Sequence, residues 1–186
     1  MPRLCPSPLP PQAPPGAARD RLRLALASLE LARAGGQAWS LAEAHREAAA
    51  AYAAFGAWPS AELMLAQGLR WARVSGAPDA CVDLLCALVE CLAGAADEAE
   101  AQTPGQGRPL RDRARDHVFE AQRLAHQVSD ARWEVTVLLR LSDVLDRFGD
   151  RDDATQLQVR ALQLTVGVSP EQPPPSAGDA ALLRCH

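Results

Sequence analysis

The sequence predicts an all-α fold of about seven helices, a leading helix followed by three antiparallel hairpins stacked on one another. Three observations carry this expectation. Leu31-Ala32, Trp71-Ala72, Leu124-Ala125 and Leu164-Thr165 fall at the same phase of successive helical segments, 40, 53 and 40 residues apart, so one unit holds 13 extra residues. Gly36, Gly76, Ser129 and Ser169 keep that register, as do Gly56 and Gly149, which lie 93 residues apart. The chain is also 48% apolar but only 4% aromatic, and much of its apolar content is alanine. A fixed period of this size marks units that cannot bury an apolar face alone and must stack. Alanine is the best helix former and lets helix backbones approach closely.

Taken in order, residues 1–17 read as a disordered Pro-rich arm. The first helix covers about residues 18–34 and is closed by Gly35-Gly36. Ser40 is the N-cap candidate of the second, with Glu43 completing a capping box, and that helix runs to Phe55 and stops at Gly56. Pro59 and Ser60 open the third, which ends at Ser75-Gly76. Pro78 and Asp79 open the fourth, which carries Leu84, Leu85, Leu88 and Leu92 at helical spacing. Residues 94–109 turn to Ala, Gly, Gln, acidic residues and two prolines, which predicts an exposed loop holding the extra residues. Helices resume over about 110–128, 130–148 and 152–166, before a tail, 168–186, that reads as disordered. The repeat domain is thus residues 18–167.

Composition excludes several function classes. The net charge is −4 and all 19 basic residues are Arg, with no concentrated basic surface, so nucleic acid is not an expected partner. Lys, Asn and Ile are absent together, as a GC-rich genome would produce. The apolar run 22–32 is short and interrupted by Arg23 and Glu30, so no membrane span is expected. No signal peptide is recognisable in Met1 to Gly16, and the expected location is the cytoplasm. Cys81, Cys86 and Cys91 sit five apart, each turned about 140° from the last on a helix, which suits small core residues and not a metal site. Cys185-His186, in the tail, is the other pair with metal-binding or oxidisable groups. No nucleophile triad, phosphate loop or H-E-x-x-H motif is present, and Asp116-His117 lacks a nucleophile. Neither an enzyme nor a cofactor is expected.

Aligned on its turns, each unit shows matching residues. In the first helix of each pair these are His45, Leu85 and Leu138, then Ala48, Leu88 and Leu141, then Tyr52, Leu92 and Leu145. In the second helix they are Ala61, Ala114 and Ala154, then Gly68, Ala121 and Ala161, with Gln158 standing where Leu65 and Val118 do. His45 at an inward place is expected to be a core histidine, and Trp39, Trp58, Trp71 and Trp133, near helix ends, are expected to pack at junctions. The run Ala49, Tyr52, Gly56, Ala61, Leu65 and Gly68 resembles the small–Tyr–Gly–Ala–large–small signature of the tetratricopeptide repeat (TPR) family, and Leu141, Leu145, Gly149, Ala154 and Ala161 repeat it. The 40-residue period is similar to the variant found in bacterial regulatory proteins.

The resemblance implies a right-handed superhelical solenoid whose first helices line a concave groove. Carried over residue by residue, the groove is Glu43, Arg46 and Glu47 in the first unit, Asp83 and Glu90 in the second, and Thr136, Arg140, Asp143 and Arg147 in the third. The expected function is therefore a non-enzymatic scaffold that binds a peptide or protein, with Arg140 and Arg147 as anchors for a carboxylate or phosphate. TPR arrays that clamp chaperone C-termini use Lys and Asn, and this chain has neither. The alternative is a small-molecule-sensing regulatory module. A homodimer through the apolar terminal helix is a further expectation.

Overall fold

Almost the whole described chain, residues 15–167 of a computed structural model, is helical, and no strand occurs among those residues. The helices are α1 (Pro15–Gly35), α2 (Ala38–Ala53), α3 (Trp58–Ser75), α4 (Pro78–Gln102), α5 (Arg108–Ala125), α6 (Ala131–Phe148) and α7 (Arg151–Gly167). The predicted 1–14 part of the arm and the 168–186 tail, with Cys5, Cys185 and His186, lie outside the described residues. The chain divides into two compact units at Gln127, the first carrying α1–α5 and the second α6 and α7.

In the first unit α2 packs on α3 and α4 on α5, while α3 packs on α4, α1 on α2, and α2 also touches α4. In the second, α6 packs on α7. The short connections make each of the three sequential pairs a hairpin. Their cores follow the predicted spacing: Val82, Leu85, Val89 and Leu92 of α4 are sealed from solvent, as are Val137, Leu138 and Leu141 of α6. Each such side chain stabilises the fold by about 1.5–3 kcal/mol. The second helices present Ala61 and Ala72 in α3, Ala114, Ala121 and Ala125 in α5, and Ala154 and Ala161 in α7, all essentially buried. In α7 the large buried residue is Leu157, and Gln158 one place on is exposed, so the unit keeps its core by shifting the apolar position.

The helix ends are set by backbone chemistry. Gly76 and Gly149 end α3 and α6 at φ of 70° and 84°, a region in which a Cβ is disfavoured. Asp130 caps α6, its carboxylate accepting from the N–H groups of Arg132 and Trp133 at 3.0 and 3.1 Å.

Three expectations are corrected. Pro15, Gly16 and Ala17 belong to α1 and not to the arm, proline being well placed in a first helical turn. Ser40 lies inside α2, whose N-cap is Gln37 without a side-chain capping bond, and Glu43 is engaged by Arg46 and not by a capping box. Residues 94–109 are not a loop. Helix α4 continues through Gly94 to Gln102, since Ala95–Gln102 are almost all strong helix formers and only Thr103-Pro104 stops them. The true connection is residues 103–107. Glu100 clasps it by accepting from the N–H groups of Gly105 and Gly107 at 2.9 and 3.2 Å, which holds its carboxyl below the usual range.

Gly94 is the point where this longer helix is anchored. A Cβ there would stand 2.5 Å from the Trp58 ring, and the indole N–H of Trp58 donates to Glu98, one turn further on, at 2.5 Å. The ring is pinned and cannot easily retreat. Gly94→Ala should therefore lower stability by about 1–2 kcal/mol despite its helix propensity gain, because overpacking outweighs it. Gly35→Ala in α1, where a Cβ meets nothing within 4 Å, should be neutral or stabilising by up to about 1 kcal/mol. Urea unfolding midpoints decide this, and equal shifts for the two variants would remove the packing role of Gly94.

Candidate functional site

Helices α2 and α4, the first helices of successive hairpins, face each other across a cleft of about 170 Å³. Trp39, Glu43 and Arg46 line it from α2, and Asp79, Asp83 and Leu84 from α4. The α2 residues stand at i, i+4 and i+7 and so form one stripe; Asp79 and Asp83 are one turn apart.

Charge in the cleft is predominantly negative. Arg46 is gripped by Glu43, its Nε donating to one carboxylate oxygen at 2.8 Å and a terminal nitrogen donating to the other. This hydrogen bond holds the Glu43 carboxyl below its usual range and raises Arg46, with Asp83 and Glu47 adding to the latter effect. Glu43 thus holds one edge of the guanidinium, and Asp83 of α4 attracts it from the opposite wall.

The structure distributes the nine sequence-predicted groove residues unevenly. Glu43, Arg46 and Asp83 share the cleft. Glu47 and Glu90 are exposed on the same two helices. Thr136, Arg140, Asp143 and Arg147 lie on α6 in the second unit, where Arg140 is half-buried and the other three are exposed. The Thr136 hydroxyl donates back to the Arg132 carbonyl at 3.1 Å. Glu134, buried against α7, comes within 3.8 Å of Arg160.

Besides the apolar Ala42, Ala80 and Leu84, the cleft residues not among the sequence candidates are Trp39 and Asp79. Trp39, expected to pack at a helix junction, is 62% exposed, and its indole N–H donates to Gln37 at 3.0 Å. The signal was available, since it continues the Glu43–Arg46 stripe by one turn. Trp71 is also exposed, whereas Trp58 and Trp133 are half-buried.

Cys81, Cys86 and Cys91 are buried free thiols, as their helical spacing predicts. Burial pushes the Cys81 thiol up and Cys91 to about 11, which leaves little thiolate for chemistry at neutral pH. Among the described residues no three His, Cys, Asp or Glu side chains group to hold a metal, and no helix is long and apolar enough to cross a membrane.

Compared with known proteins, the chain matches no family model and no curated protein.

His45 is buried, in agreement with its inward place in the repeat, and burial together with Arg33 keeps its imidazole below the ordinary histidine range. Burial does the same to His117 in α5. The unfolded chain takes up these protons near pH 6.5, the folded chain only at lower pH, so stability should fall as pH drops below about 6.5. Glu43 and Glu100 have lowered values and act only in the more acidic window, below about 4.5. Denaturant midpoints between pH 7.5 and 5.5 should therefore decline, and His45→Leu should flatten part of that slope. An unchanged slope would mean that His45 is protonated in the folded state.

Proposed function

We propose that this chain is a non-enzymatic interaction module of the TPR kind, in which the hairpins of the first unit stack with a right-handed turn and the cleft between α2 and α4 receives a basic peptide segment. The observation that carries this reading is the composition of the cleft wall. Three carboxylates, Glu43, Asp79 and Asp83, face one guanidinium that Glu43 already holds. Glu47 and Glu90 extend the acidic stripe along both helices. Exposed Trp39 offers an aromatic face to an incoming Arg or Lys, a cation–π contact worth about 0.5–1 kcal/mol at such a site. The α6–α7 hairpin follows the same residue pattern, and its Arg140 and Arg147 offer donors to an acidic part of the partner. We place this work in the cytoplasm.

A fluorescein-labelled peptide of alternating Arg and Ala tests the reading. It should bind the protein with an affinity that falls as salt rises, because exposed charges are screened over about 8–10 Å. Asp79→Asn/Asp83→Asn and Trp39→Ala should each weaken binding about tenfold, roughly 1.4 kcal/mol, with helicity unchanged. Preference for a Glu–Ala peptide, or full binding by both variants, would refute the acidic cleft as the docking surface.

One observation favours self-association as well. Val159, Leu162 and Val166 of α7 are exposed at i, i+3 and i+7, a single apolar stripe suited to a second copy of the chain. Light scattering should show concentration-dependent dimerisation that Leu162→Glu abolishes, and a monomer at all concentrations would end this reading.

A further inference from the structure

A second concave site lies in the first unit, away from the acidic cleft. It is a cavity of about 560 Å³, within the size range of small-molecule sites. Leu41 and His45 of α2 form part of its lining, and the C-terminal turns of α1 and α3 supply the rest. His45 comes two residues after Glu43, roughly 200° further round α2, so the cavity and the cleft occupy different sides of one helix.

The buried polar group in this cavity is not demanded by packing. His45 is 2% exposed, and its Nδ1 is sealed with no hydrogen-bond partner. An unmade buried hydrogen bond costs about 1–3 kcal/mol. Leu85 and Leu138 fill the same repeat position in the later hairpins and are fully buried there, so the architecture accepts leucine. His45 is nonetheless one of the residues that line the cavity, and its other ring nitrogen, Nε2, is not among the sealed, unpartnered atoms.

The remaining lining describes the ligand. Arg33 and Arg70 bring guanidinium groups and Gln67 an amide. Glu30 engages Arg33 at 2.6 Å, while among the described residues no carboxylate pairs with Arg70. The unbalanced charge therefore matches one carboxylate better than a dianion. Trp71 and Val74 give the cavity an apolar wall, and both are exposed, Val74 by 70%.

We propose that this cavity binds a small aromatic monocarboxylate. Arg70 takes the carboxylate, Trp71, Val74 and Leu41 enclose the ring, and His45 receives a hydroxyl or N–H at the ligand's far end. The site stands whether or not the acidic cleft binds a peptide.

Isothermal titration of the full chain with 4-hydroxyphenylacetate, phenylacetate, 4-hydroxybenzyl alcohol and inorganic phosphate tests it. One equivalent of 4-hydroxyphenylacetate should bind more tightly than about 1 mM, with the neutral alcohol and phosphate at least about tenfold weaker. Arg70→Gln, a change at an exposed side chain, should weaken 4-hydroxyphenylacetate about tenfold or more. His45→Leu, which installs the residue of the other repeats, should weaken 4-hydroxyphenylacetate more than phenylacetate. Absence of saturable binding by the parent protein, unchanged affinity in Arg70→Gln, or phosphate binding as tightly as the aromatic acids would each overturn the assignment.

Discussion

Helix α3 meets its neighbours through side chains that barely exist, and the position of Gly68 shows what that closeness does. A Cβ there would lie 3.0 Å from a Leu84 methyl, 3.1 Å from the His45 Cβ and 3.2 Å from the Ala42 carbonyl oxygen. One residue without a side chain is thus in contact range of α2 and α4 at once. Ala61 and Ala72, above and below it on the same face, are fully buried. Close approach of this kind gains many small dispersion contacts and leaves little slack, because protein interiors are packed at crystal-like density. The spacing of α2 from α4, and with it the width of the acidic cleft, is set from behind by these small residues on α3.

Much of this could be read from the residues. Alanines at a fixed register, turn glycines and an apolar stripe in each first helix are local signals, and local signals survive without tertiary information. Gly149 ends α6 in the left-handed region, as its place between Phe148 and Asp150 suggests, and Asp130 caps the same helix. The long α4 was not legible, because Gly94 and the polar run after it resemble a loop. What keeps Gly94 helical is Trp58, 36 residues earlier, whose ring occupies the space where a side chain would be. The exposure of Trp39 and Trp71 was hidden for a related reason. An aromatic near a helix end is ordinarily core, and only the placement of a neighbouring helix shows that a groove runs past it.

Of the nine groove residues that the TPR resemblance implied, Glu43, Arg46 and Asp83 line one cleft. Sequence could not show that Glu43 would engage one edge of the Arg46 guanidinium through both its oxygens, since that depends on rotamers within a single turn. Once the pair forms, the balance of the cleft turns on Asp79 and Asp83. Nor could sequence alone reveal the second cavity, whose lining comes from three helices separated by up to 41 residues, Arg33 to Val74.

The two concave sites differ in sign, with carboxylates toward α4 and guanidinium groups between α1 and α3, yet both are built on α2. Glu43 and Arg46 face one, Leu41 and His45 the other. Gly68 touches the element that joins them, lying against His45 on the cavity side and against Ala42 and Leu84, which line the cleft. Any shift of α2 that accommodates a ligand beside His45 must therefore be taken up at the Gly68 contact or passed to the cleft. A site that binds only the folded arrangement stabilises it by mass action, and a coupling free energy between two sites acts equally in both directions. If α2 moves as a rigid helix, occupancy of the cavity and occupancy of the cleft report on each other; if the Gly68 contact yields, they do not. The close-packed glycine, more than either set of charges, decides between those behaviours.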